Sequence, residues 1–415
     1  MSRQSTLVFR ERGKTNTQNV KNLFLNYLKK PSIFKNKEVL TESFFPDEIL
    51  HRDNELMQIS SILAPALRGY KPNNLFIYGG VGTGKTVCVK LVLKQLEEIV
   101  KKNKLNVKPV YVNCKLKKVA DTEYRLLAQL LFEIGIVVPD TGLPTDVLYR
   151  KFFNEVEKQK KIIIIALDEI DALVRKIGDD FLYNFTRINT ELEKGKISFI
   201  GITNNLNFCN ELDARVKSSL SEEEIIFHPY NATQLRDILK QRVDKAFNKG
   251  VVSDAVINKC AALAAQEHGD ARRALDLLRV AGEIAERYNS DVVTEEHVDI
   301  AEKKIDLDGV TESIRKLPRQ SQAVLNALLK LTNNSNKPVT TIEVFNVYRD
   351  ICLKNNLRVL TTRRVSDLLN ELTTLGIINT RVVSKGRYGR TREITLNIDS
   401  DVRENVEKIL SLNFN

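Results

Sequence analysis

The residues with the clearest chemical meaning lie in one stretch, NLFIYGGVGTGKT, at residues 74–86. Its apolar start predicts a strand, its end fits G-x-x-x-x-G-K-[ST], and an apolar helical segment follows at residues 87–100. In such a P-loop the glycines let backbone N–H groups point at a phosphate, while Lys85 supplies a charge and Thr86 a Mg²⁺ ligand. A glycine-rich turn without a ligand is the alternative. The predicted nucleotide-binding residues are Gly79, Gly80, Val81, Gly82, Thr83, Gly84, Lys85 and Thr86.

A second element, IIIIALDE at residues 162–169, places two carboxylates at the end of an apolar run. We expect Asp168 to act on Mg²⁺, directly or from the second shell, and Glu169 to orient and activate the attacking water. Acidic pairs are common on protein surfaces, so this pair is informative because of the four isoleucines before it and the P-loop upstream. For Asp171 we expect a helix cap, and a further acidic participant is the alternative.

Three more polar residues fit the same chemistry. Asn204 follows a strand-like run, where its amide would lie beside the γ-phosphate and the water; a simple Asn-Asn turn is an equal alternative. Arg215 precedes the last predicted strand and could reach a neighbouring subunit's γ-phosphate. Arg272 opens a helix and could fold back on the phosphates. For both arginines, sequence physics alone favours an ordinary surface position.

Composition limits the class of protein. A chain of 415 residues predicts two or three domains, and 42 % hydrophobic with 28 % charged residues is typical of soluble globular proteins. No run approaches the roughly 20 apolar residues of a membrane span. The five scattered cysteines predict neither a zinc site nor a disulfide frame and fit a reducing interior. We therefore expect no membrane partner and a cytoplasmic location.

The order of the predicted elements defines the architecture. Apolar runs at residues 75–78, 109–113, 162–167, 198–203 and 224–227 alternate with helices, which indicates a parallel sheet covered on both faces. Ligands bind at the carboxyl ends of such strands, where the P-loop lies. An all-helical domain is predicted next, with helices at residues 232–247, 254–268, 270–288 and 294–305. A charged connector follows at residues 306–318.

The C-terminal part has a winged-helix pattern, with helices at residues 321–331, 340–353 and 361–375 and a hairpin at 377–396. Residues 312–415 hold 17 lysines and arginines against 10 aspartates and glutamates, so seven of the eleven net positive charges lie there. This favours a polyanionic partner over a merely solvated basic face. The third helix is predicted to bury Val365, Leu368, Leu369, Leu372 and Leu375.

The predicted DNA-binding residues belong to two elements of this part. The exposed start of the third helix would enter the major groove with Thr361, Thr362, Arg363, Arg364 and Ser366. The glycine-flanked hairpin tip suits a narrow minor groove. Most contacts should be to phosphate, which gives affinity and salt dependence rather than sequence choice. The hairpin residues are Lys385, Arg387, Tyr388, Arg390 and Arg392.

These motifs occur in the order of AAA+ ATPases. From about residue 44 to the C-terminus, the chain resembles the archaeal replication initiators related to the eukaryotic origin recognition complex and its helicase-loading partner. The segments that carry the resemblance are PDEILHRDNEL, DARVKSSL and GDARRALDLL. The resemblance implies a DNA-contacting helical insertion at residues 121–153, which the residues alone identify only as helix–loop–helix. It further implies that His51 and Arg52 lie near the adenine, Asn204 is the first sensor, Arg215 the trans-acting finger and Arg272 the second sensor.

The family resemblance implies an α/β parallel-sheet AAA+ domain with an all-α lid and a C-terminal winged helix. We predict an N-terminal tail at 1–40, the AAA+ domain at 41–228, the lid at 229–305, a linker at 306–318 and the winged helix at 319–415. It implies a nucleoid-associated, slow ATPase that uses ATP, ADP and Mg²⁺ and binds double-stranded origin DNA. ATP binding and hydrolysis would act as a switch in helicase recruitment, with paralogous initiator subunits and the replicative helicase as partners.

Two other functions fit the same motifs. A clamp-loader subunit or a helicase loader would act through protein contacts, with strong hydrolysis stimulated by a sliding clamp and no site-specific footprint on DNA. A DNA-binding regulator would retain ATP as a structural ligand. Intact Lys85, Asp168 and Glu169 argue against an inactive site, but they are compatible with a slow one.

Overall fold

A computed structural model of the chain describes residue 25 and residues 31–115, 122–139, 141–220, 222–332, 337–384, 390–398 and 400–414. The chain divides into two compact units, Met1–Val298 and Asp299–Asn415. Within the described ranges, no helix combines the length and the apolar character that crossing a bilayer requires. All five cysteines are buried free thiols.

The first unit is built on a parallel sheet with the strand order β2-β3-β4-β1-β5. The strands extend up to two residues beyond the predicted runs, because polar residues at their ends also pair: Lys196 lies opposite Ile162, and Glu222 opposite Asn74. The strands are β1 (Asn74–Gly79), β2 (Val107–Asn113), β3 (Ile162–Asp168), β4 (Lys196–Thr203) and β5 (Glu222–Phe227).

The apolar run in β3 is continuous because both faces of the sheet are covered. Ile163, Ile165 and Leu167 belong to one core, and the alternate residues of the strand belong to the other. The second core also holds side chains of the helices Asp53–Leu63 and Lys85–Asn103. The first core includes the helices Glu123–Glu133, Thr145–Gln159, Ile170–Ile177, Asp180–Arg187, Phe208–Glu211 and Ala214–Leu220.

A helical subdomain follows β5 and begins with the helices Ala232–Ala246, Asp254–Glu267 and Ala271–Arg287. Asn231, Ser253 and Asp270 cap these helices by accepting hydrogen bonds from backbone N–H groups. The next helix is longer than predicted and spans Glu295–Lys316. The predicted linker at 306–318 is therefore mostly helical, and the helix ends just before Pro318, since the residue preceding a proline disfavours helical geometry.

Residues 31–40 do not form part of a free tail, contrary to the prediction. The Phe34 ring lies 4.6 Å from the Phe247 ring, and Lys37 pairs with Glu283 of the helical subdomain at 2.8 Å. Val39 and Leu40 are buried within the short 3₁₀ helix Lys37–Leu40. The rest of the predicted tail, apart from Leu25, lies outside the described residues.

The second unit is a winged helix, as predicted. Its antiparallel sheet has the order β6-β8-β7, with β6 at Val339–Thr340, β7 at Ile378–Ser384 and β8 at Arg390–Leu396. A fourth helix, which was not predicted, buries Val406 and Leu410. Leu375 is 48 % exposed, against the prediction, because its helix ends at Thr374. Besides the helix Glu295–Lys316, most of which lies in this unit, the helices of its described residues are Arg319–Leu331, Thr341–Lys354, Thr362–Thr374 and Ser400–Asn413.

Candidate functional site

The predicted P-loop joins the end of β1 to the helix Lys85–Asn103. Gly82 and Gly84 have φ angles of +69° and +93°, which residues with a Cβ rarely adopt. A Cβ on Gly82 would lie 1.5 Å from Oδ1 of Asp270, and one on Gly84 would lie 2.8 Å from the Tyr230 hydroxyl. The backbone N–H of Ala271 also donates to the Gly82 carbonyl at 3.2 Å. The helical subdomain therefore packs directly on the loop.

Lys85 is the charged centre of the loop and is only 6 % exposed. Its Nζ donates to the carbonyls of Gly79 and Gly80 at 2.9 and 2.7 Å and to Oδ1 of Asn204 at 2.8 Å. Burial lowers the pKa of Lys85 to about 8, and the nearby Asp168 carboxylate opposes that shift. The strand tip that carries Asn204 is thus tied to the P-loop, as a sensor position requires.

Asp168 lies at the end of β3, opposite Asn113 of β2 and Ile202 of β4, and is 4 % exposed. Its Oδ2 accepts hydrogen bonds from the Thr86 hydroxyl at 2.9 Å and the Tyr111 hydroxyl at 2.6 Å. A carboxylate and a hydroxyl side by side are hard oxygen donors of the kind that Mg²⁺ prefers. The two predicted metal ligands, Thr86 and Asp168, therefore fit a magnesium site.

Glu169 follows in the left-handed region, with φ of 54°, and its Oε2 lies 3.1 Å from Nζ of Lys115. Asp171 is not the predicted helix cap, because it lies one residue inside the helix Ile170–Ile177. It accepts a hydrogen bond from the Thr203 hydroxyl at 3.1 Å and pairs with Arg175. Asp171 therefore braces two neighbouring elements and does not border the nucleotide cavity.

A cavity of about 510 Å³ lies between the carboxyl edge of the sheet and the helical subdomain. Arg272 borders it from the helical side, and its guanidinium lies 4.0 Å from Glu42. The cavity brings together most of the predicted nucleotide residues, while Gly79, Gly80 and Thr83 do not border it. Those that line it are Val81, Gly82, Gly84, Lys85, Thr86, Asp168, Glu169, Asn204 and Arg272.

His51 and Arg52 do not border this cavity, although they were expected near the adenine. Arg52 is 4 % exposed and donates to the carbonyls of Thr83 at 3.0 Å and His228 at 2.5 Å. Its guanidinium also lies 4.0 Å from the centre of the Tyr230 ring, and His51 bonds to Asp237 of the helical subdomain at 3.1 Å. Arg52 therefore links the P-loop to the segment that leads from β5 into the helical subdomain, and His51 bonds to that subdomain directly.

Arg215 also lies away from the cavity. Its side chain is 72 % exposed, and Nε donates to Oδ1 of Asp213 at 3.0 Å. This ion pair raises the pKa of Arg215 and lowers the pKa of Asp213. The guanidinium therefore faces solvent within its own chain.

Sequence reasoning missed one end of the cavity, where Phe44 and Arg242 lie far apart in the chain but meet in space, with the guanidinium 4.7 Å from the ring centre. The aromatic pair at the start of FFPDEIL was the only local signal for it. Tyr111, which bonds to Asp168, was missed as well. Other apolar residues that line the cavity, on the segment after Phe44 and on the helix that carries Arg242, are Phe45, Pro46, Ile49, Leu50 and Ile238.

The predicted recognition helix begins at Thr362 and is capped by Thr361, whose hydroxyl accepts from the Arg364 N–H at 3.4 Å. Thr361, Thr362, Arg363 and Arg364 are exposed, and Ser366 is half-buried. The structure therefore leaves the start of this helix open, as major-groove binding requires.

The hairpin is only partly described. The Arg392 guanidinium donates to Asn370 of the recognition helix at 2.6 Å and to Thr380 at 3.0 Å, so it braces the hairpin on the helix rather than standing at the tip. Lys385, Arg387 and Tyr388 lie outside the described residues, as does the side chain of Arg390.

The expected insertion at residues 121–153 contains the helices Glu123–Glu133 and Thr145–Gln159, which agrees with helix–loop–helix. Asp121 and Asp140 lie outside the described residues. Val137, between the two helices, is 83 % exposed, and Phe132 is 61 % exposed. This part of the first unit therefore presents apolar side chains to solvent.

Comparison with protein families assigns all three parts of the chain. Residues 68–209 match the AAA domain, and residues 236–303 match the Cdc6 AAA+ ATPase-type lid domain. Residues 312–406 match the CDC6 C-terminal winged helix domain. The AAA+ fold with a lid and a winged helix is therefore established.

Similar proteins agree with this assignment. The ORC1-type DNA replication protein of Thermococcus kodakarensis is 52 % identical over 92 % of this chain and 93 % of its own length. ORC1-type DNA replication protein 1 of Archaeoglobus fulgidus is 51 % identical over 92 % of each chain. The solved structure of Aeropyrum pernix ORC1 in complex with DNA shares 45 % identity and a TM-score of 0.79, covering 92 % of this chain and 98 % of that one. The chain therefore belongs to the family of ORC1-type DNA replication proteins, the AAA+ initiators of replication.

Proposed function

We propose that this chain binds ATP with Mg²⁺ and double-stranded origin DNA, and that ATP binding and hydrolysis switch the initiator between states. The observation that carries the proposal is a pair of hydrogen bonds at one edge of the sheet, from Lys85 to Asn204 and from Thr86 to Asp168. Arg272 lines the same cavity. AAA+ family membership supports nucleotide binding and ATPase activity. The DNA complex of a relative with 45 % identity supports DNA binding.

The polar residues at the phosphate-binding end of the cavity each have a role in this proposal. The Lys85 ammonium and the P-loop amides bind the phosphates, and Arg272 approaches them from the lid. Thr86 and Asp168 would hold Mg²⁺, and the bound ion would neutralise negative charge on the phosphates. Glu169 takes a proton from the attacking water, and Asn204 orients that water beside the γ-phosphate.

Two features of the structure support slow hydrolysis by the isolated chain. Glu169 is paired with Lys115 at 3.1 Å, and this ion pair has to open before the carboxylate can turn to the attacking water. Arg215 faces solvent, so its guanidinium would serve the site of a neighbouring subunit rather than its own. We infer that a second initiator subunit, identical or paralogous, completes the catalytic site.

The winged helix is the proposed main DNA-binding element, with the start of the recognition helix in the major groove and the hairpin tip in the neighbouring minor groove. The exposed insertion supplies a second contact from the first unit. Nucleotide-dependent movement of the lid would then control the binding of partners, among them the replicative helicase, on nucleoid DNA in the cytoplasm.

Two assays on the full chain test this function together. Gel shift with competitor DNA should show a complex that truncation after Pro318 nearly abolishes, and equal binding by the truncated chain would refute the winged-helix role. A single-turnover assay should show ATP converted to ADP slowly and in a Lys85-dependent way. If the chain binds DNA but retains ATP unhydrolysed, the alternative of a regulator with a structural nucleotide is favoured. The Glu169–Lys115 ion pair is consistent with that alternative as well.

A further inference from the structure

Arg242 is a buried cation that the roles assigned above do not use. It belongs to the helix Ala232–Ala246, borders the nucleotide cavity and is 8 % exposed. Its guanidinium carbon lies 4.7 Å from the centre of the Phe44 ring, a distance at which the aromatic face attracts a cation. Phe44 therefore fixes the plane and position of the guanidinium.

The Arg242 guanidinium has an unsatisfied donor. Its Nε is buried and has no hydrogen-bond partner among the described residues. Burial lowers the pKa of Arg242, and only the Asp47 carboxylate opposes this. A buried N–H without an acceptor is unfavourable, and no described residue accepts a hydrogen bond from the Nη groups of Arg242 either. The guanidinium that borders the cavity therefore lacks a hydrogen-bond partner, which a ligand in the cavity would supply to the Nη groups.

The surroundings of Arg242 indicate the part of the ligand that it meets. Phe44, Pro46 and Ile238 line the same cavity and offer flat apolar surface, which suits a heteroaromatic ring and not a phosphate. Lys85 is held by Gly79, Gly80 and Asn204, whereas Arg242 packs on the Phe44 ring. The phosphate-binding end and the Arg242 end of the cavity are thus chemically distinct.

We propose that Arg242 recognises the base of the bound nucleotide, with an Nη group donating a hydrogen bond to a ring nitrogen of the purine and Phe44 supporting the guanidinium. This inference rests on the proposed ATP binding. A purine suits the site because its ring nitrogens are acceptors within a flat apolar ring. Arg242 would accordingly contribute to binding of the purine base and take no part in hydrolysis.

The test measures equilibrium binding of ATP and of 1-deaza-, 3-deaza- and 7-deaza-ATP, each of which lacks one ring nitrogen. The full chain is compared with Arg242→Met and Arg242→Lys, and with Arg236→Met as control, since Arg236 lies on the same helix but pairs with Asp237. We expect Arg242→Met to weaken ATP binding about 10-fold to 100-fold. One deaza analogue should bind the wild type more weakly than ATP does, by a similar factor. The same analogue should bind Arg242→Met almost as well as ATP does.

If Arg242 only stabilises the lid, the affinities of ATP and of every analogue will fall by the same factor in Arg242→Met, and this result would contradict the proposal. Equal binding of ATP and all three analogues by the wild type would overturn the proposal without any variant. A deaza penalty of the same size in wild type and in Arg242→Met would also overturn it. If ATP binds in a Lys85-dependent way but the deaza penalty does not depend on Arg242, base recognition by Arg242 is refuted and the proposed function stands. If the wild type does not bind ATP at all, the proposed function itself is refuted.

Discussion

The Lys85 ammonium donates a hydrogen bond of 2.8 Å to the side-chain oxygen of Asn204. This bond joins the P-loop to the tip of β4, two segments far apart in the sequence. The same ammonium is held by the carbonyls of Gly79 and Gly80. A phosphate bound by Lys85 would therefore act on Asn204 directly, which gives a physical basis for sensing the nucleotide.

Glu169→Gln should retain ATP binding and lower hydrolysis by roughly 10²- to 10⁴-fold, since the site loses its base while its shape is kept. The measurement is a radiolabelled single-turnover assay beside equilibrium ATP binding. Glu193→Gln is the matched control, because Glu193 is exposed and remote from the cavity. An unchanged turnover in Glu169→Gln would remove Glu169 from the mechanism.

Gly82→Ala should weaken ATP binding at least about tenfold, because its new methyl group would collide with Asp270 and displace the lid from the P-loop. Gly69→Ala is the control, since Gly69 also has a positive φ, of 83°, but meets nothing within 4 Å. The control should lower the free energy of unfolding by about 1 kcal/mol and leave ATP binding unchanged. Equal ATP affinities in the two variants would show that the Asp270 contact is not important for binding.

Arg215→Ala should bind ATP normally and lose most of any hydrolysis that rises with protein concentration, because the proposed finger would act on a neighbouring site. Mixing Arg215→Ala with Glu169→Gln should restore hydrolysis above either variant alone, since one supplies an intact site and the other an intact finger. Lys217→Ala is the control from the same helix, Ala214–Leu220. Failure of the mixture to recover activity would contradict the trans-acting role.

Arg363→Ala should flatten the preference among DNA sequences in a binding-site selection, because its side chain is exposed at the start of the recognition helix. Arg349→Ala removes an exposed arginine from the preceding helix, Thr341–Lys354, and should leave the sequence profile unchanged. Identical profiles for the wild type and Arg363→Ala would count against major-groove reading by this helix.

The sheet and the P-loop were predictable from sequence because their signals are local. Four consecutive isoleucines ahead of Asp168 predict the strand. The glycine pattern before Lys85 predicts the P-loop from one short segment alone. The meeting of Thr86 with Asp168 followed from parallel topology, since carboxyl ends of strands share one edge.

Other features depend on contacts between distant segments, which a local pattern does not encode. The burial of Arg52 between the P-loop and the helical subdomain and the contact of Arg242 with Phe44 are of this kind. The helical extension to Lys316 was missed because residues 306–316 are highly charged and include Gly309, which is unfavourable in helices.

The central claim is that ATP controls how this initiator engages DNA. The most direct measurement is a DNase I footprint of the full chain and of Glu169→Gln on chromosomal origin DNA, with ATP, with ADP and without nucleotide. We expect a site-specific footprint whose extent differs between ATP and ADP, and Glu169→Gln should hold the ATP pattern over time. A footprint that is identical in all three nucleotide conditions, or the lack of any site-specific protection, would contradict the account.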